Sequence, residues 1–370
     1  MRVAYVLGTS AGGTVRHVRM LADGLTGRGV DVCVYAPAAT WMPDGTPGGG
    51  VPFAAVESSD RPRPAQDLAA VRRLRGLLAR SRPDVVHAHG LRAGALAALA
   101  VGRGQGRPAL IVTVHNAAPS GGAAGTIYRV LEHLVARRAD RVLCVSSDLE
   151  ERMRRLGARH VAWVPISAPG EVGEQPPPEA AADIRASLTA GNGQAGAPVV
   201  LAVGRLAAQK GLGTLIEAAS RWQDRSPVPV LAIAGDGPLA GDLARQSQAL
   251  GVAVTFLGHR DDVPALLAAA DVVVAPSMWE GQPLLVHEIL RAGRPLVASR
   301  VGGIPDLTGQ DAALLVPAGD PAALADAVLA VLDDPAQAAR LSQAALRQAK
   351  TLPTEQDALE AALAAYTVPA

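Results

Sequence analysis

The chain has 370 residues, 49% hydrophobic but only 3% aromatic, and a formal net charge of +1. That length exceeds the roughly 250 to 300 residues at which one core stops growing, so two domains are expected. No uninterrupted apolar run approaches the roughly 20 residues that cross a bilayer, which excludes a helical membrane protein and favours a soluble chain.

The opening MRVAYVLGTS has too short an apolar stretch for a signal-peptide core and reads as a buried first strand, so the cytoplasm is the expected compartment. Further along the first half, DVCVYAP, DVVHAHG, ALIVTVH, RVLCVSS and HVAWVPI are short β-rich runs separated by Ala/Leu/Arg stretches of helical period. One of those stretches is amphipathic: Leu68, Val71, Leu74 and Leu78 recur among Arg72, Arg73, Arg75 and Arg80, which fits a surface helix or an interfacial one. Residues 168–198 are rich in Pro, Gly and Ala and suit a linker plus a first helix. The second half repeats the design with PVVLAVG, VPVLAIAG, AVTFLG, DVVVAPS, PLVASR and ALLVPAG. The pattern predicts an α/β chain of two Rossmann-like, doubly wound parallel-sheet domains of about six strands each, 1–170 and 171–370, facing a common cleft. The C-terminal helix is free to pack back on the first domain.

Charge is uneven between the halves: residues 1–175 carry 22 Arg and Lys against 14 Asp and Glu, and the remainder 13 against 20. A basic first half fits solvated helix faces, an anionic acceptor or a membrane surface. The two cysteines, Cys33 and Cys144, sit in strand-like runs and are expected to be buried thiols.

Ligands of such sheets bind beyond the carboxyl ends of the strands, so the residues that follow each strand carry the functional information. After the first strand, GTSAGGT offers Gly12, Gly13 and a helix N-terminus to phosphate oxygens. It lacks the G-x-G-x-x-G spacing, and the second strand ends Tyr35-Ala36-Pro37 without the acidic residue of a dinucleotide site, which disfavours NAD. The sequence Gly235-Asp236-Gly237-Pro238-Leu239-Ala240 meets the relaxed fingerprint but reads as a tight turn and helix start. His115 ends a strand, placed to donate to a hydroxyl or accept a proton, with a satisfied structural histidine as the competing reading. His87 and His89 read as structural, because no third ligand at metal-binding spacing accompanies them. In GRLAAQKG, Arg205 stands near Lys210, one of only two lysines beside 33 arginines; a rigid fork and a flexible point charge suit a diphosphate. Asp261 and Asp262 open a helix and read as an N-cap pair, so no divalent metal is inferred.

The segments GTSAGG, IVTVH, GRLAAQKG, AGDGPLAGDL, FLGHRDDVPALLAAADVVVAPS and WEGQPLLVHEILRAGRPLVASRVGGIPDLTG together resemble the retaining GT-B glycosyltransferases of family 4 (group 1). The likeness is strongest from Val199 to Val316. It implies a metal-independent enzyme that moves a sugar from a nucleoside diphosphate sugar to an acceptor hydroxyl on a small molecule, glycan or lipid, with no cofactor and no nucleic-acid partner. It further implies that Glu288 holds the ribose hydroxyls and Glu280 the sugar. By the same match Arg205 and Lys210 clamp the diphosphate with Gly12 and Gly13, His115 lies beside the sugar, and Arg260 and Asp262 lie near the base. Gly281, Gln282 and Leu284 would line the donor. Where many relatives read Glu-Gly-Phe-Gly-Leu, this chain has Gln282-Pro283, removing one backbone donor and adding a side-chain amide. Other readings are an NDP-sugar epimerase or phosphorylase-like enzyme of the same fold, a nucleotide-sugar-binding protein without activity, and, less favoured, a NAD-dependent oxidoreductase.

Overall fold

The structure, a computed structural model, describes residues 1–9, 13–42, 50–59, 63–116, 122–167, 175–190 and 196–367. The chain divides into two compact units, one of Met1–Ser167 with Pro353–Ala370 and one of Ala168–Leu352.

The first unit is built on strands β1 (Arg2–Leu7), β2 (Asp31–Ala36), β3 (Phe53–Ala55), β4 (Val85–His89), β5 (Ala109–Val114), β6 (Arg141–Cys144) and β7 (Val161–Trp163). They form one sheet in the order β3-β2-β1-β4-β5-β6-β7, every neighbouring pair parallel. Seven strands stand where the sequence suggested about six. The extra one, Phe53-Ala54-Ala55, is a three-residue edge strand with half-exposed and exposed positions, too short to give a hydrophobic period. All five residues of β4 are buried, as a parallel strand covered on both faces requires.

The amphipathic arginine-rich segment is the helix Pro64–Ser81. Its Val71, Leu74 and Leu78 are buried, and Arg75 donates to the carbonyl of Leu99 at 2.8 Å, so its apolar face is used within the unit; Leu68 alone of the four leucines and valine stays exposed. The C-terminal helix Glu355–Tyr366 belongs to this unit, closed at its start by a capping box between Thr354 and Asp357. Cys33 and Cys144 are free thiols, half-buried and buried.

The second unit comprises β8 (Val199–Val203), β9 (Val230–Ala234), β10 (Val254–Phe256), β11 (Val272–Ala275), β12 (Leu296–Ser299) and β13 (Leu314–Val316), ordered β10-β9-β8-β11-β12-β13 and again parallel throughout. Alternate residues of β8 enter separate cores. Val199 and Leu201 pack on one face with Val286 and Ile289, while Val200 and Ala202 pack on the other with Leu215 and Val328. Period-two alternation feeding two helix layers is what doubly wound means physically. Among the described residues no helix is long and apolar enough to cross a membrane.

Candidate functional site

In the second sheet β8 pairs directly with β11, β9 and β10 continue to one side, and β12 and β13 to the other. This is the switch point of a doubly wound sheet, where the outgoing loops part and leave a crevice. The chain leaving β8 makes a short 3-10 turn, Ala208–Lys210; that leaving β11 turns through Glu280 and enters the helix Leu284–Arg291 behind Pro283.

The two loops are tied main chain to main chain, with the amide of Met278 donating to the carbonyl of Gln209 at 2.7 Å. Gly211, at φ +60°, lies so close that a Cβ there would stand 2.0 Å from the carbonyl oxygen of Pro276. Gly302, at φ +52°, would put a Cβ 2.0 Å from the carbonyl oxygen of Glu280, and the neighbouring Gly303 amide donates to the Gly281 carbonyl at 2.7 Å. Only residues without a side chain permit this approach, so glycines fix where the carboxylate of Glu280 stands.

That carboxylate is 6% exposed and meets three donors. Lys210 Nζ forms an ion pair with it, Ser277 Oγ donates to the same oxygen at 2.8 Å, and Gln209 Nε2 reaches the other at 3.3 Å. A buried carboxylate is tolerated when donors surround it in this way. Lys210, Ser277, Glu280 and Pro283 line a small cleft with Val274 and Ile304.

Arg205 is exposed and has no ion pair among the described residues. Its loop is held from the other side: the Leu206 amide donates to the carbonyl of Asp236 and the Leu239 amide to that of Leu206, both at 2.9 Å. The apparent dinucleotide fingerprint at 235–240 is a turn followed by the helix Ala240–Ala249, and it supports the loop that carries Arg205. Gln282 is buried at 8% exposure, Gly281 and Leu284 are buried, and Glu288 is half-buried one turn along the helix.

Arg260 and Asp262 form a pair of their own, Nε to Oδ1 at 2.7 Å. The Arg260 guanidinium holds the Asp262 carboxyl below the usual range. This corrects the N-cap expectation: Asp262 occupies the N-cap position of the helix Val263–Ala269, but its side chain caps no backbone amide because Arg260 takes both oxygens.

On the first unit, Gly13 opens the helix Gly13–Gly27, and Gly12 lies outside the described residues. His115, just beyond β5, does not stand alone. Its Nε2 lies 3.1 Å from His89 Nδ1, and the two rings stack at 5.4 Å. His89 lies against His87 with centroids 4.2 Å apart, and His17, from the helix Gly13–Gly27, meets His89 and His115 edge-on at 6.3 and 6.1 Å. His87 bonds Tyr366 through Nδ1 and Thr113 through Nε2, each at 2.7 Å. All four rings are buried. Burial, with His17 adding a smaller effect, pushes His115 down to about 3, so it is neutral at ordinary pH. It can donate or accept a hydrogen bond in that state, but it is a poor acceptor of a full proton.

Lys210 and Glu280 stand out in the sequence separately, whereas Gln209, Ser277 and His17 carry no signal of a role there. Gln209 and Ser277 lie within GRLAAQKG and DVVVAPS, yet Gln209 meets Glu280 across 71 residues of chain, and Ser277, three residues before Glu280, stands at no spacing that marks it out. The histidine cluster follows from register, since β4 and β5 pair His89 with Thr113 and leave His115 two residues on, just beyond the end of β5. Among the described residues no group of three or more His, Cys, Asp or Glu is arranged to hold a metal ion.

Residues 197–334 match the family model described as Glycosyl transferases group 1, and residues 12–169 the model described as Glycosyl transferase 4-like domain. The chain is 33% identical over 277 residues to the glycogen synthase of Mycobacterium tuberculosis, covering 71% of this chain and 64% of that protein. It is 30% identical over 295 residues to the alpha-D-kanosaminyltransferase of Streptomyces kanamyceticus, covering 75% and 74%. The chain thus spans a little under two thirds of the length of the first relative and about three quarters of the second. Among solved structures, Anabaena HepE in complex with UDP-glucose superposes with a TM-score of 0.81 over 100% of both chains at 21% identity.

Proposed function

Because the chain belongs to the group 1 glycosyltransferases of family 4 and has their GT-B fold, we propose that it transfers a sugar from a nucleoside diphosphate sugar to an acceptor hydroxyl. The observation that carries this reading is the Lys210–Glu280 pair at the switch point of the second sheet, with Ser277 and Gln209 on the same carboxylate. A cation and an oxygen acceptor side by side suit the junction of a diphosphate and a sugar. Lys210 and Arg205 would take the charge that develops on the departing phosphate, and Glu280 would accept from sugar hydroxyls. Glu288 would receive the ribose and Arg260 with Asp262 would lie near the base. Uridine is the base to test first, given the UDP-glucose bound by HepE.

The proposed course is retaining and independent of metal. The bond between the anomeric carbon and the phosphate oxygen breaks, the acceptor oxygen attacks from the same face, and its proton passes to the departing phosphate. His115, neutral at working pH, fits a hydrogen-bonding role toward the sugar better than a general base. Gln282 and Pro283 are where sugar choice is proposed to be made, because Pro283 supplies no amide at the N-terminus of the helix Leu284–Arg291. The acceptor is proposed to be a small molecule, a glycan or a lipid; for a lipid, the arginine excess of the first unit would draw the protein to an anionic surface.

The test is calorimetry of the full chain with UDP, GDP, ADP and TDP sugars, followed by turnover in the presence of a chelator and assignment of the product anomer by NMR. Binding of one nucleotide sugar, transfer with chelator present and an unchanged anomeric configuration are expected. Conversion of the donor without any acceptor would establish an epimerase instead, and an inverted product or loss of activity on chelation would overturn the retaining or metal-free course.

A further inference from the structure

A second cavity, of about 470 Å³, lies in the first unit at the amino ends of β5 and β6, whereas His115 follows the carboxyl end of β5. Its wall is made by the loop after the helix Leu91–Val101, the end of the helix Gly122–Arg138 and the turn Gly157–His160 before β7. Arg103, Arg107, Arg137, Arg138, Arg141 and Arg159 all line it, and Asp140 is the one acidic residue in the lining. Asp140 is already engaged, since it binds Arg107 through both oxygens and accepts the Leu110 amide at 2.7 Å. Arg138 is turned inward to the carbonyls of Ala98 and Gly102, at 3.0 and 2.7 Å.

Arg103, Arg137, Arg141 and Arg159 have no carboxylate partner among the described residues. Some arginines elsewhere do stand against acids, as in Arg92 with Asp67, Arg152 with Glu132 and Arg185 with Asp271. Cations gathered in a concavity repel one another: burial, then the charges of Arg103 and Arg107, push Arg138 below the usual guanidinium range. An anion seated among them removes that repulsion and receives paired N–H donors from planar forks that match phosphate oxygens. The rest of the lining includes the exposed His160, and Ala109, Ile111, Ala136 and Tyr366 supply its apolar part, most of it buried. The volume falls within the roughly 300 to 1,000 Å³ usual for small-ligand sites.

We propose that this arginine-lined cavity is a binding site for a phosphate ester, separate from the donor-binding residues of the second unit. Its ligand is either a soluble phosphorylated metabolite of about sugar-phosphate size or the headgroup of an anionic lipid, the two sharing the same recognised group.

The experiment titrates the full chain with inorganic pyrophosphate and with ribose 5-phosphate in a calorimeter, and separately floats it with phosphatidylcholine vesicles containing or lacking phosphatidylglycerol, all at about 0.1 M salt, where surface charge effects are already damped. Arg103→Glu/Arg159→Glu is the informative variant, because both side chains are exposed and unpaired and their loss leaves the core intact; a thermal melt checks that it is folded. Binding of a soluble probe that weakens about tenfold or more in this variant, but not in Lys210→Ala, supports a metabolite site. Flotation only with the anionic vesicles, abolished in the variant, supports the headgroup. Arg72→Glu/Arg73→Glu on the exposed face of the helix Pro64–Ser81 removes the same charge away from the cavity. Failure of every probe to bind, equal binding by the Arg103/Arg159 variant, or an equal loss in the Arg72/Arg73 or Lys210 variant would overturn the proposal.

Discussion

Lys210 and Glu280 each serve the other as well as the proposed substrate, and this shapes what their substitution should do. Lys210→Ala removes one preorganised cation and is expected to lower kcat by roughly 10²- to 10³-fold. It also leaves the buried Glu280 without its ion-pair partner, a change that destabilises by about 3 to 5 kcal/mol for a fully buried pair and by less here, since Lys210 is partly exposed. The melting temperature should therefore fall along with activity. The double variant Lys210→Met/Glu280→Gln keeps similar volumes and removes both charges, so it should recover the melting temperature without recovering kcat. Steady-state kinetics beside thermal melts checks this, and full activity in Lys210→Ala would rule out the clamp. The two glutamates should also separate in calorimetry: Glu288→Ala is expected to weaken UDP itself, whereas Glu280→Ala should weaken the intact nucleotide sugar more than UDP. Equal effects on both ligands would contradict the division of roles.

At the scale of elements, the site is held by main chain pressed on main chain. Alanine at Gly302 meets the Glu280 carbonyl at 2.0 Å and adds the left-handed backbone penalty, about 1 to 2 kcal/mol, so the turn carrying Glu280 has to move. Gly29, at φ +78°, has nothing within 4 Å of a Cβ and serves as the comparison, since it carries the backbone penalty alone. Gly302→Ala should lose kcat/KM by about tenfold or more, the scale of a small misplacement of catalytic groups, while Gly29→Ala should lower the melting temperature and leave kinetics unchanged. Comparable kinetics in the two variants would argue that the approach of Gly302 to Glu280 does not position the carboxylate. These contacts also mark the limit of the sequence. All six strands of the second sheet, and six of the seven in the first, were legible because Val-, Ile- and Leu-rich runs ending in Gly, Pro, Ser or His signal buried parallel strands. The loops bearing Arg205, Lys210 and Glu280 were legible too, since they follow strands. Their mutual fit was not: Gly302 touches Glu280 across a helix and a strand, and Ser277 and Gln209 converge on one carboxylate without any shared period. Asp262 misled for a related reason, because an acidic residue before a helix looks like a cap whether or not an arginine two positions earlier captures it.

For the molecule as a whole, buried histidines govern the response to acid. Burial, with neighbouring positive charge adding to it, lowers His87, His115 and His287 to about 3, burial alone lowers His17 to about 4, and His89 is displaced in the same direction. Each is neutral in the folded state, while in the unfolded chain it titrates near 6.5, so above that pH neither state binds the proton and stability is unaffected. As pH falls below 6.5 the unfolded state gains protons that the folded state does not, and each histidine subtracts about 1.4 kcal/mol per pH unit until the folded group titrates as well. His17, His87, His89 and His115 belong to the first unit and His287 to the second, so the loss should be steeper in the first. With a total stability of about 5 to 15 kcal/mol, four such groups are enough to unfold it within one to three pH units. Hydrogen exchange read by mass spectrometry from pH 7 to 4 should therefore lose protection in β1, β4 and β5 before β8, β9 and β11. His17→Leu is the decisive variant. His17 Nδ1 has no hydrogen-bond partner among the described residues although it is buried, so the substitution sacrifices no bond seen from that nitrogen and removes one titrating group together with its repulsion of His89 and His115. It should shift the acid transition of the first unit to lower pH and leave that of the second in place. An unshifted transition, or earlier loss in the second unit, would mean that carboxylate protonation and not the histidine cluster sets the acid limit.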